Sequence, residues 1–204
     1  QKSPILLGTN GLSPKAQVAG EASYHYALPL LKTTGNISWK GISHEVVGTS
    51  LMDREFGTAI LSPSIRGWDW FGIVLDTGYE LIMSLIRWAD GRTAETSSGT
   101  IIKPDGSCSH FGASDIHVTI IESWSSNETA AVYPVHWRIR VDKVGLELEV
   151  VAIVKEHELV SATSTTINYW EGPVTSRGLL SGKRVSGHGH VELVGYSESA
   201  GGKF

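Results

Sequence analysis

The chain of 204 residues is 41% hydrophobic and 19% charged, which is sufficient to bury a core as one or two globular domains. Its formal net charge of −4, without a run of basic residues, excludes the electrostatic footprint of a nucleic-acid-binding protein. The single cysteine, Cys108, excludes an internal disulfide and a cysteine-based zinc site.

No apolar segment reaches the roughly 20 residues that a membrane-spanning helix needs, so we expect no transmembrane segment. The chain begins at Gln1 without a signal-like segment, which indicates processing or truncation. The sequons at Asn36 and Asn127 are weak indicators of secretion, because such triplets often arise by chance. We expect a secreted or periplasmic location.

Alternation of apolar and polar residues with a period of two dominates the chain and is typical of β-strands. The pattern predicts strands at 37–39, 44–51, 67–75, 79–88, 99–103, 108–111, 116–124, 132–141, 146–154, 168–174 and 185–196. No amphipathic helix longer than two turns is evident. Regular turn signals and 23 glycines therefore predict an all-β fold, an antiparallel barrel or β-sandwich with little helix. We expect an irregular segment at 1–22, one domain at 23–196 and a tail at 197–204.

The predicted hairpin at 67–88 is apolar on both faces. Its first strand places Trp68 and Trp70 on one face and Phe71 and Ile73 on the other, and its return strand is equally apolar on both sides. Such a hairpin either lies between two layers or curls around an apolar cavity. The two-sided apolar pattern therefore raises the expectation of an apolar ligand.

Asp53 and Glu55 share one face of an extended segment, with Arg54 on the other face. A carboxyl beside tryptophans in a desolvated pocket has a raised pKa and can act as a general acid that protonates an alkene. Tyr24, Tyr26, Trp68 and Trp70 are candidates for an aromatic wall that stabilises the carbocation by roughly 0.5–2 kcal/mol each. The alternatives are a salt-bridged turn with Arg54 or Arg66 and tryptophans that belong to the core.

Other clusters are weaker candidates. Glu171, next to Trp170, is a second acid/base candidate, although it can equally pair with an arginine at a Gly-Pro bend. His188, His190 and Glu192 alternate along one strand and superficially offer metal ligands, but no fourth ligand is evident and we expect no metal. His25 is a possible proton relay, with a hydrogen-bonded strand histidine as the alternative.

Several segments in order carry a resemblance to a known family. They are Gly11-Leu12-Ser13-Pro14-Lys15, Ala22-Ser23-Tyr24-His25-Tyr26-Ala27-Leu28-Pro29, Met52-Asp53-Arg54-Glu55-Phe56-Gly57, Gly67-Trp68-Asp69-Trp70-Phe71, Tyr133-Pro134-Val135-His136-Trp137, Asn168-Tyr169-Trp170-Glu171-Gly172 and Gly189-His190-Val191-Glu192-Leu193-Val194-Gly195-Tyr196. The set resembles the AttH-like, lipocalin-like family, which includes carotenoid 1,2-hydratase (hydroxyneurosporene synthase) and proteins labelled predicted secreted hydrolases.

The resemblance implies a lipocalin-like β-fold and a cofactor-independent hydratase, lyase or cyclase that acts on an apolar, isoprenoid-like small molecule. From the residue chemistry together with the resemblance, we expect Asp53 and Glu171 as catalytic residues. We expect contacts with substrate from Tyr24, Tyr26, Arg54, Glu55, Trp68, Trp70 and Trp170. The alternatives are a non-catalytic carrier of an apolar ligand or a secreted hydrolase, although no G-x-S-x-G elbow supports the latter.

Members of this family usually contain two lipocalin-like halves, and the motifs of this chain resemble those of the second half. If the other half is missing, one apolar face of the 67–88 hairpin needs another cover. We therefore expect a homodimer or association with a first-half domain. The competing possibility is that the N-terminal segment and the region 163–180 cover that face.

Overall fold

The structure, a computed structural model, describes residues 2–15, 20–57, 63–161 and 167–197. Within these residues it consists of strands and turns, with only the 3-10 turns Ala113–Asp115 and Asp142–Val144 as helical elements. The all-β prediction is confirmed. None of the helices in these ranges is long and apolar enough to cross a membrane.

A small antiparallel sheet contains the N-terminal strands. Its members are β1 (Ile5–Leu6), β2 (Leu12–Pro14), β3 (Ala22–Trp39) and β4 (Ile42–Phe56). The predicted turn at Lys40-Gly41 joins β3 to β4, and both residues have positive φ (49° and 79°), as a type I′ hairpin turn requires. From Lys32 to Ser50 this hairpin forms an exposed arm, in which only Val46 is partly covered.

A large antiparallel sheet contains the remaining strands of the described residues and curls into a half-barrel. Its members are β5 (Ile65–Leu75), β6 (Glu80–Trp88), β7 (Ser98–Ile102), β8 (Cys108–Gly112), β9 (Ile116–Ser125), β10 (Val132–Val141), β11 (Leu146–Ala152), β12 (Glu158–Leu159), β13 (Tyr169–Leu180) and β14 (Lys183–Val194). The strand order is β8-β7-β6-β5-β14-β13-β11-β10-β9, and β12 pairs with β13. The strands at its centre, β5, β14 and β13, carry the residues of the site described below.

Aromatic and aliphatic side chains fill the inside of the curl. Phe71, Tyr133, Trp137 and Trp170 are all 0% exposed there, and Trp137 makes edge contacts with the rings of Phe71 (5.6 Å) and Trp170 (6.5 Å). Burial of each such side chain contributes about 1.5–3 kcal/mol to stability. The main core therefore occupies the space in which a lipocalin-like carrier would hold its ligand.

The small sheet covers part of the opposite face of β5 and β6. Ile5, Leu7 and Ala27 pack there against Ile82 and Ile102. The hairpin at 67–88 therefore lies between two layers, which was the first of the arrangements predicted from its two apolar faces.

The N-terminal segment differs from the irregular segment predicted at 1–22, because β1 and β2 both pair with β3. Gly8 and Gly11, with φ of 65° and 86°, allow the tight turn that joins these strands. The pairing of β1 and β2 with β3 places Ile5 and Leu7 on the hairpin at 67–88. The predicted tail lies almost entirely outside the described residues, as does the start of the region 163–180.

Candidate active site

A cavity of about 580 Å³ lies between the small sheet and the outer face of the large sheet, beyond the part that Ile5 and Leu7 cover. Strand β4 contributes one wall, and strands β5, β13 and β14 contribute the other. The lining residues with ionisable or aromatic side chains are Asp53, Glu55, Trp68, Trp70, Glu80, Glu171, His188, His190 and Glu192. A pocket of this size can hold a small organic molecule.

Asp53 and Glu55 both face the large sheet, whereas Arg54 faces away from it. The pairing of β3 with β4 sets this orientation, because Asp53 lies opposite Ala27 and Glu55 opposite His25, on the buried side of β3. Nε2 of His25 lies 2.7 Å from Oδ1 of Asp53, and the imidazole is almost entirely buried while the carboxyl is 26% exposed. The Asp53 carboxyl therefore faces the cavity, and its hydrogen-bond partner His25 lies buried behind it.

Glu55 is held as an anion. It forms an ion pair with Lys15 and accepts a hydrogen bond from the hydroxyl of Ser23. Burial alone would raise the pKa of the Glu55 carboxyl, but the Lys15 ammonium and these hydrogen bonds outweigh it and lower that pKa below its ordinary value. The predicted alternative of a salt bridge to Arg54 or Arg66 is not what the structure shows for Asp53 and Glu55.

Glu192 has the opposite environment. Its Oε1 accepts a hydrogen bond from the indole N–H of Trp68 at 3.0 Å, and no ion pair with a cationic side chain is found for it among the described residues. Burial is the main reason that the pKa of the Glu192 carboxyl is raised, and the nearby carboxylates of Glu171, Asp53 and Glu55 raise it further. Sequence reasoning missed this residue as an acid, since it considered Glu192 only as a metal ligand.

Glu171 also lines the cavity, and it lies directly opposite Glu192 on the neighbouring strand. Its carboxyl pairs with Nε2 of His190 at 3.3 Å, and it is 37% exposed. The sequence suggested an arginine as the partner of Glu171, whereas the structure shows His190 in that place. His188 and His190 line the cavity as well, but no group of three or more His, Cys, Asp and Glu side chains within the described ranges could hold a metal ion.

Trp70 forms a flat part of the cavity wall because it lies over Gly72 of its own strand. A Cβ atom at position 72 would lie 2.4 Å from the Cη2 ring carbon of Trp70, so only glycine allows this orientation of the indole. Trp68 and Trp70 also border a neighbouring cavity of about 320 Å³. The two indoles are therefore the aromatic wall of the site.

The remaining predicted contacts lie elsewhere. Tyr24 is 58% exposed on the outer face of the small sheet and stacks on Phe56, and Tyr26 lies on that same face, opposite Arg54. Trp170 is fully buried in the main core, where its indole N–H donates to the carbonyl of Lys155 at 2.7 Å. The structure thus removes Tyr24, Tyr26, Arg54 and Trp170 from the cavity wall, because successive residues of a strand alternate between its faces.

Comparisons with known proteins agree with this fold. A curated relative, kievitone hydratase of Fusarium solani subsp. phaseoli, is 27% identical over 185 residues, which are 87% of this chain and 51% of the relative. A solved structure described as an AttH protein from Nitrosomonas europaea is 32% identical, with a TM-score of 0.85 over 97% of this chain and 59% of that chain.

The structure of kievitone hydratase from Nectria haematococca shares the fold, with a TM-score of 0.79 and 20% identity over 96% of this chain and 59% of that chain. The chain spans about half the length of the curated relative that it matches. The family model for AttH-like proteins matches residues 1–196. The chain therefore belongs to the AttH-like family.

Proposed function

We propose that this cavity is the active site of a cofactor-independent hydratase that adds water to a carbon–carbon double bond of an apolar, isoprenoid-like small molecule. The observation that carries the proposal is the placement of Asp53 and Glu192 beside Trp68 and Trp70 in one cavity. Similarity to a kievitone hydratase supports this reaction class.

The chemistry follows from these residue types. A carboxyl group gives its proton to one alkene carbon, the π electrons form the new C–H bond, and the other carbon becomes a cation. The faces of Trp68 and Trp70 stabilise that cation by about 0.5–2 kcal/mol each. The oxygen of a water molecule then bonds to the cation, and a second carboxylate accepts the proton that this water loses.

Asp53 and Glu171 are the proton-transfer residues proposed from the sequence, and both line the cavity. The hydrogen bond between Asp53 and His25 provides a partner that can share a transferred proton. The competing function is a carrier of an apolar ligand. An apolar lining would favour a carrier, whereas the carboxyl groups of this cavity favour the enzyme.

Incubation with kievitone, followed by mass spectrometry, tests the proposal. The wild-type protein is expected to convert kievitone to a product heavier by one water, and Asp53→Asn is expected to abolish conversion with a nearly unchanged melting temperature. If the variant unfolds instead, Asp53 is a structural partner of His25. If wild-type protein binds kievitone, seen as quenching of tryptophan fluorescence, but does not convert it, the carrier function is supported.

A further inference from the structure

Glu192 lies in the cavity wall, on the strand between β13 and β5. On β14 it pairs directly with Glu171 of β13 on one side and with Trp70 of β5 on the other. The indole N–H of Trp68, two residues before Trp70, fixes Oε1 of its carboxyl at 3.0 Å. Backbone pairing and a side-chain hydrogen bond thus hold this carboxyl beside both tryptophans of the aromatic wall.

We infer that Glu192 is the proton donor of this cavity and that the Asp53–His25 pair is its proton acceptor, an assignment that rests on the proposed hydration. Glu192 gives its carboxyl proton to the alkene, and the π electrons of the double bond form the C–H bond. Water attacks the resulting cation and loses a proton to Asp53. Return of that proton through solvent to Glu192 completes the cycle, so atoms and charge balance. Asp53 thereby acts as the base, in place of the acid role predicted from the sequence.

The charged groups around Glu192 explain why it is the donor and Asp53 the acceptor. Glu171 faces it from β13, Asp53 and Glu55 face it from β4, and burial and these carboxylates together favour its protonated form. The neighbouring basic side chains pair with other carboxylates: Lys15 with Glu55, His25 with Asp53 and His190 with Glu171. Tyr169 also lies near Glu171 and Glu192. Burial is the main reason that the pKa of its phenol is raised, and these two carboxylates raise it further.

Asp53 has the geometry of an acceptor. The ring of His25 reaches its Oδ1 from the buried side, which leaves the rest of the carboxyl to face the cavity. A carboxylate oriented by an imidazole can accept a proton from water while the imidazole stabilises the product. Two carboxyl groups whose environments differ in this way divide naturally into an acid and a base.

Titration of the substrate-free protein tests the first half of this inference. In protein labelled with ¹³C at the glutamate side-chain carboxyl, Glu192→Gln and Glu192→Asp each remove the Glu192 signal and so assign it. Glu147→Gln, at an exposed glutamate of β11, leaves that signal in place and serves as the control. The signal of Glu192 is expected to titrate above the ordinary glutamate value of 4.5. A midpoint at or below 4.5 would overturn the inference, whether or not the protein hydrates kievitone.

Kinetics with kievitone test the second half. Glu192→Gln is expected to lower kcat by roughly 10²–10⁴-fold and to remove the basic limb of the pH–rate profile, while Asp53→Asn abolishes conversion. Glu147→Gln, remote from the cavity, should leave kcat and the basic limb unchanged. Retention of wild-type kcat by Glu192→Gln overturns the assignment while leaving the hydratase intact. Failure of the wild-type protein to hydrate kievitone counts against the proposed function, and the titration still decides whether Glu192 holds the proton.

Discussion

Trp68 donates its indole N–H to the carboxyl of Glu192 at 3.0 Å, across a sequence separation of 124 residues. The contact is possible because β5 and β14 are neighbouring strands of the large sheet, with Trp70 opposite Glu192. It joins the aromatic wall and the acidic group of the cavity into one unit. Changes at Trp68 should therefore alter the chemistry of Glu192 as well as the shape of the wall.

Replacement of Trp68 by Phe should raise the pKa of Glu192 further. The hydrogen bond from the indole opposes the raised pKa, since it stabilises the ionised carboxyl, and phenylalanine retains an aromatic face without this donor. The Glu192 carboxyl signal in ¹³C spectra is expected to titrate at a higher pH than in the wild-type protein. A downward shift or no shift would show that the hydrogen bond does not act on Glu192.

The difference in stability between the Glu192→Gln variant and the wild-type protein should depend on pH in a defined direction. Because the folded protein raises the pKa of Glu192 above its ordinary value of 4.5, the stabilising contribution is complete below that value and is lost as pH rises through the folded pKa. Glutamine avoids this loss. The melting temperature of the variant should therefore exceed that of the wild-type protein increasingly as pH rises through this window, then by a constant amount.

Glu55→Gln provides the matched control with the opposite sign. The folded protein lowers the pKa of Glu55, so its stabilising contribution is present above the ordinary value of 4.5 and is lost as pH falls through the folded pKa. This variant should melt below the wild-type protein at neutral pH and approach it in acid. If both variants changed with pH in the same direction, the opposite environments described here would be wrong.

Replacement of Gly72 by Ala should displace Trp70 and reshape the cavity. The new methyl group would occupy the space of the indole, and such overpacking typically costs about 1–3 kcal/mol. Chemical denaturation should show the lower free energy of unfolding, and tryptophan fluorescence should report the moved ring. Gly35→Ala is the control, because a Cβ atom there meets no neighbour within 4 Å. Equal effects of both substitutions would contradict the role of Gly72.

Association with a second copy remains a prediction, but the structure changes its location. The small sheet covers part of the hairpin at 67–88, whereas its own outer face leaves apolar side chains exposed: Leu6 52%, Leu12 42%, Tyr24 58% and Phe56 50%. Light scattering should detect a homodimer, and Tyr24→Lys should weaken it. A monomer of about 22 kDa at all concentrations would contradict the prediction.

The period-two pattern predicted the strands, the hairpins and the shared face of Asp53 and Glu55, because alternation depends only on local backbone geometry. It could not tell which face of a strand meets the cavity, so Tyr24 and Tyr26 were placed on the wrong side. Alternation does exclude that Trp170 and Glu171 line the same cavity, since these adjacent residues point to opposite faces of their strand. The contact that positions Glu192 could not be predicted, because its partner Trp68 is distant in sequence.

Incubation of the protein with kievitone in heavy water tests the central claim most directly. Protonation of an alkene by a carboxyl that exchanges with solvent, followed by capture of water, predicts a product with one non-exchangeable deuterium on the carbon next to the one that bears the new hydroxyl group. Formation of this deuterated product should be roughly 10²–10⁴-fold slower with Glu192→Gln and unchanged with Glu147→Gln. Hydration without carbon-bound deuterium, or bound kievitone that stays unchanged, would contradict the account.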